Sequence, residues 1–168
     1  MTLKFENDLP TRSWKFWGIL ILIYSIILVV TILKDRWLSS EQPNVLFYIF
    51  VPSLSILGGV LSMYGIVKIS KKSIQFLSLL TISLGMNSLM QIVENILKII
   101  YYRIWEYPSL LYVAVVILLG FLLMAYGLIR WGKVKCWMAV ILTVFDFIGS
   151  SIVGIFLTNV VGLTTPGS

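Results

Sequence analysis

Histidine is absent from this chain, and cysteine occurs once. The first absence removes histidine-ligated haem, histidine-bound zinc or copper, and the commonest proton shuttle. The second removes any intrachain disulfide and any paired-cysteine zinc or redox site. Acidic residues are scarce as well: seven Asp and Glu stand against thirteen Lys and Arg. Reaction motifs are missing. There is no Gly-x-Ser-x-Gly elbow, no Walker loop, no His-Glu-x-x-His and no Rossmann glycine pattern. The expectation is a protein with no catalytic residue, no bound metal and no cofactor.

What the chain has in abundance is apolar surface. Its hydrophobic share of 59% lies well above the roughly 45–50% of soluble domains, and its mean hydropathy is +0.98. Five apolar stretches account for nearly all of it, over residues 14–33, 45–67, 74–97, 110–129 and 137–161. Each has about 20 residues or more, enough at 1.5 Å per residue to cross about 30 Å of hydrocarbon. The predicted fold class is therefore all-α, a polytopic membrane helical bundle of five transmembrane helices. Residues 1–13 form a cytoplasmic N-terminal tail, 14–163 a single transmembrane bundle, and 164–168 an extracytoplasmic C-terminal tail. The first stretch reads as a retained span. It is too long for the apolar core of a signal peptide, and Lys34, Asp35, Arg36 and Trp37 follow it in place of a small-x-small cleavage site.

Charge placement sets the orientation. One face carries Lys4, Arg12 and Lys15, then Lys68, Lys71 and Lys72, then Arg130, Lys133 and Lys135; the other carries Lys34, Arg36, Lys98 and Arg103. Nine against four across short loops predicts a cytoplasmic N-terminus and an extracytoplasmic C-terminus in the cell membrane. The net charge of +6 is thus spent at membrane boundaries, where it meets anionic lipid, and no nucleic-acid face is expected. Aromatic belts agree with these boundaries. Trp14, Trp17, Trp131 and Trp137 fall at the inner interface, and Trp37, Tyr101, Tyr102, Trp105 and Tyr107 at the outer one. Cys136 sits at a boundary too, as a small interfacial residue.

The sequence also echoes itself. Met63-Tyr64-Gly65-Ile66-Val67-Lys68 aligns with Ala125-Tyr126-Gly127-Leu128-Ile129-Arg130, and Lys71 then meets Lys133 without a gap. This predicts a parallel duplication of a two-helix hairpin, spans two and three copied as four and five.

Polar residues inside the hydrocarbon are the functional candidates, because an unpaired polar group there costs several kcal/mol. Span three places Ser83, Asn87, Gln91, Glu94 and Asn95 at helical spacing, and span five does the same with Thr143, Asp146, Ser150, Gly154 and Thr158. The two faces are expected to meet inside the bundle, bringing Asn87 towards Asp146. Asp146 lies about 11 residues, roughly 16 Å, beyond Lys135, near mid-membrane. Insertion there costs about 2.5–3.5 kcal/mol, and no lysine or arginine is expected at that depth. Glu94 lies about 22 residues, roughly 33 Å, beyond Lys72, within one turn of Lys98. Asp146, Asn87, Gln91, Glu94 and Ser150 are the candidate ion, proton or polar interior site. Gly58, Gly59, Ser62 and Gly154 are candidate helix-packing positions of the small-xxx-small kind, and Pro52 should kink span two.

Two functions follow. The first is a non-catalytic membrane protein that binds another membrane component through its helices, as an accessory subunit of a complex or as an immunity-type protective protein. Its partners would be membrane lipids with an integral membrane protein or a second copy of the chain. The alternative is a small proton- or cation-linked transporter or channel using Asp146.

Overall fold

Helices stop where the chain supplies a breaker, and this one supplies few between its polar turns. The computed structural model describes residues 14–38, 45–71, 74–104 and 110–159. It is all-helical among them: α1 Trp14–Leu38, α2 Val45–Ile69, α3 Phe76–Ile104, α4 Leu110–Arg130 and α5 Cys136–Asn159. All five are long and apolar enough to cross a membrane, so this is a multi-pass membrane protein. The tails assigned to residues 1–13 and 164–168, the residues Trp105 and Tyr107, and the side chains of Trp14, Trp37 and Tyr102 lie outside the described residues.

Two helices run further than their apolar stretches. α1 continues past Lys34 to Leu38, and α3 past Lys98 to Ile104. Hydropathy marks where lipid ends, whereas a helix goes on until propensity fails, and no Gly or Pro interrupts either extension. α2 runs through Pro52 as one helix. Proline has no N–H to give, so the Tyr48 carbonyl loses its helical donor.

α2, α3, α4 and α5 form a ring in that order, each packed on its two neighbours, and α1 lies outside against α3 and, less closely, α2. Diagonal partners make no close backbone approach among the described residues: α3 meets α5 only through side chains. The tightest seam is α2 on α5. It is made of small residues. A Cβ on Gly58 would stand 2.9 Å from the Gly149 carbonyl oxygen, and one on Gly149 would stand 2.5 Å from the Gly58 carbonyl oxygen. Gly59 lies against Asp146 and Ser150 in the same way. The small residues of span two are therefore used inside the chain. Gly154 is looser, with Ser55 Oγ 3.5 Å from its hypothetical Cβ.

The core sits at the end of the bundle where the α2–α3 and α4–α5 turns lie. Val60, Met63, Val67, Leu79, Leu128, Ala139 and Leu142 are wholly buried there, with Ile82 and Met138 nearly so. Outside, Ile19, Leu22, Ile26, Val29 and Leu33 of α1 stand exposed, and lipid must cover them.

The two turns share a conformation. Lys71 and Lys133, which the sequence register pairs, both adopt the left-handed region, with φ of 53° and 49°. Thr81 and Thr143, paired by the same register, each donate to a carbonyl one turn back, Leu77 and Ala139, at 2.8 Å. The helix pairs around them differ, since α2 packs on α5 far more closely than α4 does on α3. The aromatic neighbours differ as well. Tyr64 meets Phe76 edge-on at 5.5 Å, whereas the equivalent Tyr126 meets Trp131 at 6.3 Å.

Candidate functional site

The polar stripe of α3 does not stay on one face. A step of four residues turns 400°, so each step drifts about 40° around the helix. From Ser83 through Asn87 and Gln91 to Asn95 the stripe winds by about 120°. Its two ends therefore look into different spaces, and the five-residue site expected from the sequence divides in two.

The first space is a cavity of about 340 Å³ between α3, α4 and α5. Asn87, Thr143, Asp146, Ser150 and Ser151 line it together with Met86, Met90, Phe121 and Met124, and among the described residues no lysine or arginine does. Asp146 is 8% exposed. Ser83 of α3 stands within hydrogen-bonding reach of its carboxyl. The second oxygen, Oδ1, is packed on Gly59 of α2 and has no hydrogen-bond partner among the described residues. Asp146 thus joins three helices at once: its own α5, α3 through Ser83 and α2 through Gly59. Asn87 shares the cavity, but its amide donates within α3, to the Ser83 carbonyl at 2.9 Å and the Ser83 hydroxyl at 3.3 Å. Asn87 positions Ser83, and Ser83 faces Asp146.

The second space, about 420 Å³, lies between α1, α2 and α3 at the opposite end of the bundle from the turns. Gln91 and Glu94 line it, along with Asn95, Lys98, Thr31 and Lys34. Lys34 stands near the end of α1 away from the turns, and its side chain is packed inside the protein, 8% exposed. Its ammonium donates to Asn95 Oδ1 at 2.7 Å, the Asn95 amide donates to Thr31 Oγ1 at 2.9 Å, and the Thr31 hydroxyl donates to the Ile27 carbonyl at 2.9 Å. This chain of bonds ties α1 to α3. Further into the membrane, the Tyr24 hydroxyl lies beside Ser53 and Gln91 without reaching hydrogen-bond geometry with either.

Comparison with known proteins finds no matching family model, no matching curated protein and no matching solved structure. The site must therefore be read from its own chemistry. Sequence reasoning missed Gly149 and Lys34. Gly149 carried a signal, since it opens a Gly-Ser-Ser run of small residues beside Ser150. Lys34 looked like any lysine closing an apolar stretch, and only the packing of α1 on α3 separates it from Lys68 or Arg130, which are exposed.

No group of three or more acidic, Cys or His side chains able to hold a metal occurs among the described residues. Asp146 is the one carboxylate lining its cavity among the described residues. The arrangement can offer hydroxyl and amide groups and one carboxyl to a polar group entering from the side.

Proposed function

We propose that this integral membrane protein is non-catalytic and acts by helix-helix binding to another membrane component, seated at the lateral mouth of the Asp146 cavity. One observation carries this reading. The cavity ends towards the turns in an apolar core, Leu79, Ile82, Leu128 and Leu142, while its wall includes the half-exposed Ile117 and Phe147, 48% and 53%. A mostly apolar recess that holds one carboxyl and a few hydroxyls, opens sideways and is plugged at one end suits a component already dissolved in lipid better than an ion crossing the bilayer. Helix association in lipid rests on such close packing and interhelical hydrogen bonds. The role is that of an accessory subunit; an immunity-type protective protein would perform the same physical act on a different partner. Lysine and arginine placement supports a cell-membrane orientation with the N-terminus cytoplasmic.

A photoreactive residue in place of Ile117 or Phe147, tested in native membranes, should give a discrete protein adduct. The same residue in place of Ile21 on α1, which is 54% exposed, should give lipid adducts only. An adduct of twice the chain's mass identifies the partner as a second copy. Identical lipid-only patterns at all three positions would sink the proposal.

A second reading, a proton- or cation-linked carrier, is favoured by the orphaned Asp146 Oδ1, since an intramembrane acid is a functional position by default. Asn87 and Ser150 would line its path; Gln91 and Glu94 belong to the other cavity. In liposomes, Asp146→Asn should then abolish flux while the bundle still assembles. Flux unchanged by that substitution removes the aspartate from any transport role.

A further inference from the structure

No basic residue described in this chain reaches the carboxyl of Asp146. The side chain is 8% exposed, and its Oδ1 has no hydrogen-bond partner among the described residues. Acids buried in hydrocarbon are costly and pair with an opposite charge or with backbone. Two polar neighbours are already committed: the Thr143 hydroxyl donates to the Ala139 carbonyl and the Asn87 amide to Ser83. The basic residues of the surrounding helices lie far along the axis. On α2, Lys68 stands about 9 residues, roughly 14 Å, from Gly59; on α3, Lys98 stands about 15 residues, roughly 22 Å, from Ser83. Lys135 precedes Asp146 by about 11 residues, roughly 16 Å. Arg130 of α4 is exposed, and Lys34 is bonded to Asn95 in the other cavity.

The space suits one long side chain. At about 340 Å³ it is too small to admit a helix. Its wall joins hydrocarbon, Val116, Ile117 and Phe121, to the acceptors Asp146, Ser150 and Ser151. Lysine and arginine have the same make-up, an apolar stem and a charged head. Their heads are all donor and no acceptor, the complement of a carboxyl. Met86, Met90 and Met124 also line the cavity, and flexible thioethers repack readily around an inserted stem. A neutral donor would add little, because the cavity already holds hydroxyl and amide groups. What this chain does not bring to that depth, among its described residues, is positive charge.

We propose that the partner is a transmembrane helix carrying one lysine or arginine near its midpoint, whose side chain enters between α4 and α5 and pairs with Asp146. This rests on the reading of the cavity mouth as a helix-binding site. It narrows that reading, because a second copy of this chain cannot be the partner: none of its five helices carries a basic residue near its middle.

The test uses the full chain in liposomes, labelled with a fluorophore at Cys136, its single and exposed cysteine. Energy transfer is read to synthetic leucine-alanine transmembrane helices that carry lysine, arginine, glutamine or leucine at the central position. A basic helix should bind about tenfold more tightly than the glutamine and leucine helices, the gain of a charge-assisted hydrogen bond over a neutral one. Asp146→Asn keeps the shape and hydrogen-bonding capacity of the side chain and should remove that preference, with helical circular dichroism unchanged. The ranking on the unaltered chain needs no variant, so it decides the matter even where Asp146→Asn fails to assemble. Equal binding of the basic and glutamine helices, or no binding by any, overturns the proposal, as does a preference that survives Asp146→Asn in a folded bundle. An Ile117 adduct of twice the chain's mass in native membranes also overturns it, while leaving helix binding in place. Lipid-only adducts at both Ile117 and Phe147 remove the helix-binding reading itself, and this inference with it.

Discussion

Gly149→Val should open the α2–α5 seam and cost the bundle a large part of its stability. A Cβ at this position would stand 2.5 Å from the Gly58 carbonyl oxygen and 2.8 Å from Ser62 Cβ. The first of these is backbone, so no rotamer change relieves it, and whole helices would have to separate. Overpacking a core costs about 1–3 kcal/mol, and a clash against backbone belongs at the upper end of that range. The readout is the unfolded fraction against denaturing detergent in mixed micelles, followed by helical circular dichroism. Gly65→Val is the control, because nothing lies within 4 Å of a Cβ there. Equal loss in the two variants would mean that valine's helix propensity, and not the seam, explains the effect. Loss confined to Gly149 would also displace Asp146, since the same seam holds its Oδ1 against Gly59.

Asn95→Leu should loosen α1 from the bundle. The substitution removes the amide oxygen that accepts from the buried Lys34 ammonium and the amide nitrogen that donates to Thr31. A hydrogen bond to a charged group contributes about 1.5–3 kcal/mol, and a loss of that size is expected in the same unfolding measurement. Lys34→Met combined with Asn95→Leu should recover most of it, because the double variant no longer buries an ammonium that has lost this acceptor. Purely additive losses would show that the two side chains are not coupled and that α1 is held by its apolar contacts alone. This contact matters because, among the described residues, α1 touches only α2 and α3.

Some of this was legible in the sequence, for reasons that can be stated. Helix count and position follow from the length of hydrocarbon a chain must cross, so the five spans were readable to within a few residues at most ends. The errors at α1 and α3 have one cause: hydropathy falls at Lys34 and Lys98, but helix propensity does not. The small residues Gly58, Gly59 and Ser62 were readable as a close-packing surface, yet their partner was not. A small-xxx-small stripe says that a helix can approach closely and leaves open which one; Gly149 and Asp146 of α5 turned out to face it. The repeated Tyr-Gly-x-x-basic turn pairs Lys71 with Lys133, and both residues adopt the left-handed conformation.

The polar site shows the limit most clearly. Residues four apart look like one face over two turns and become two faces over four, because 3.6 does not divide the spacing. Ser83 and Asn87 went with Asp146, while Gln91, Glu94 and Asn95 went with Lys34. The sequence by itself determined that the chain lives in lipid, crosses it five times and places one carboxyl near mid-membrane, since transfer energies and helical rise depend on local composition alone. Only the tertiary structure decided that α2 closes on α5, that Lys34 turns inward, and that the polar groups divide between two cavities. Those outcomes depend on how each helix is rotated about its own axis and which helices stand beside it, and that is settled by contacts between residues far apart in the chain.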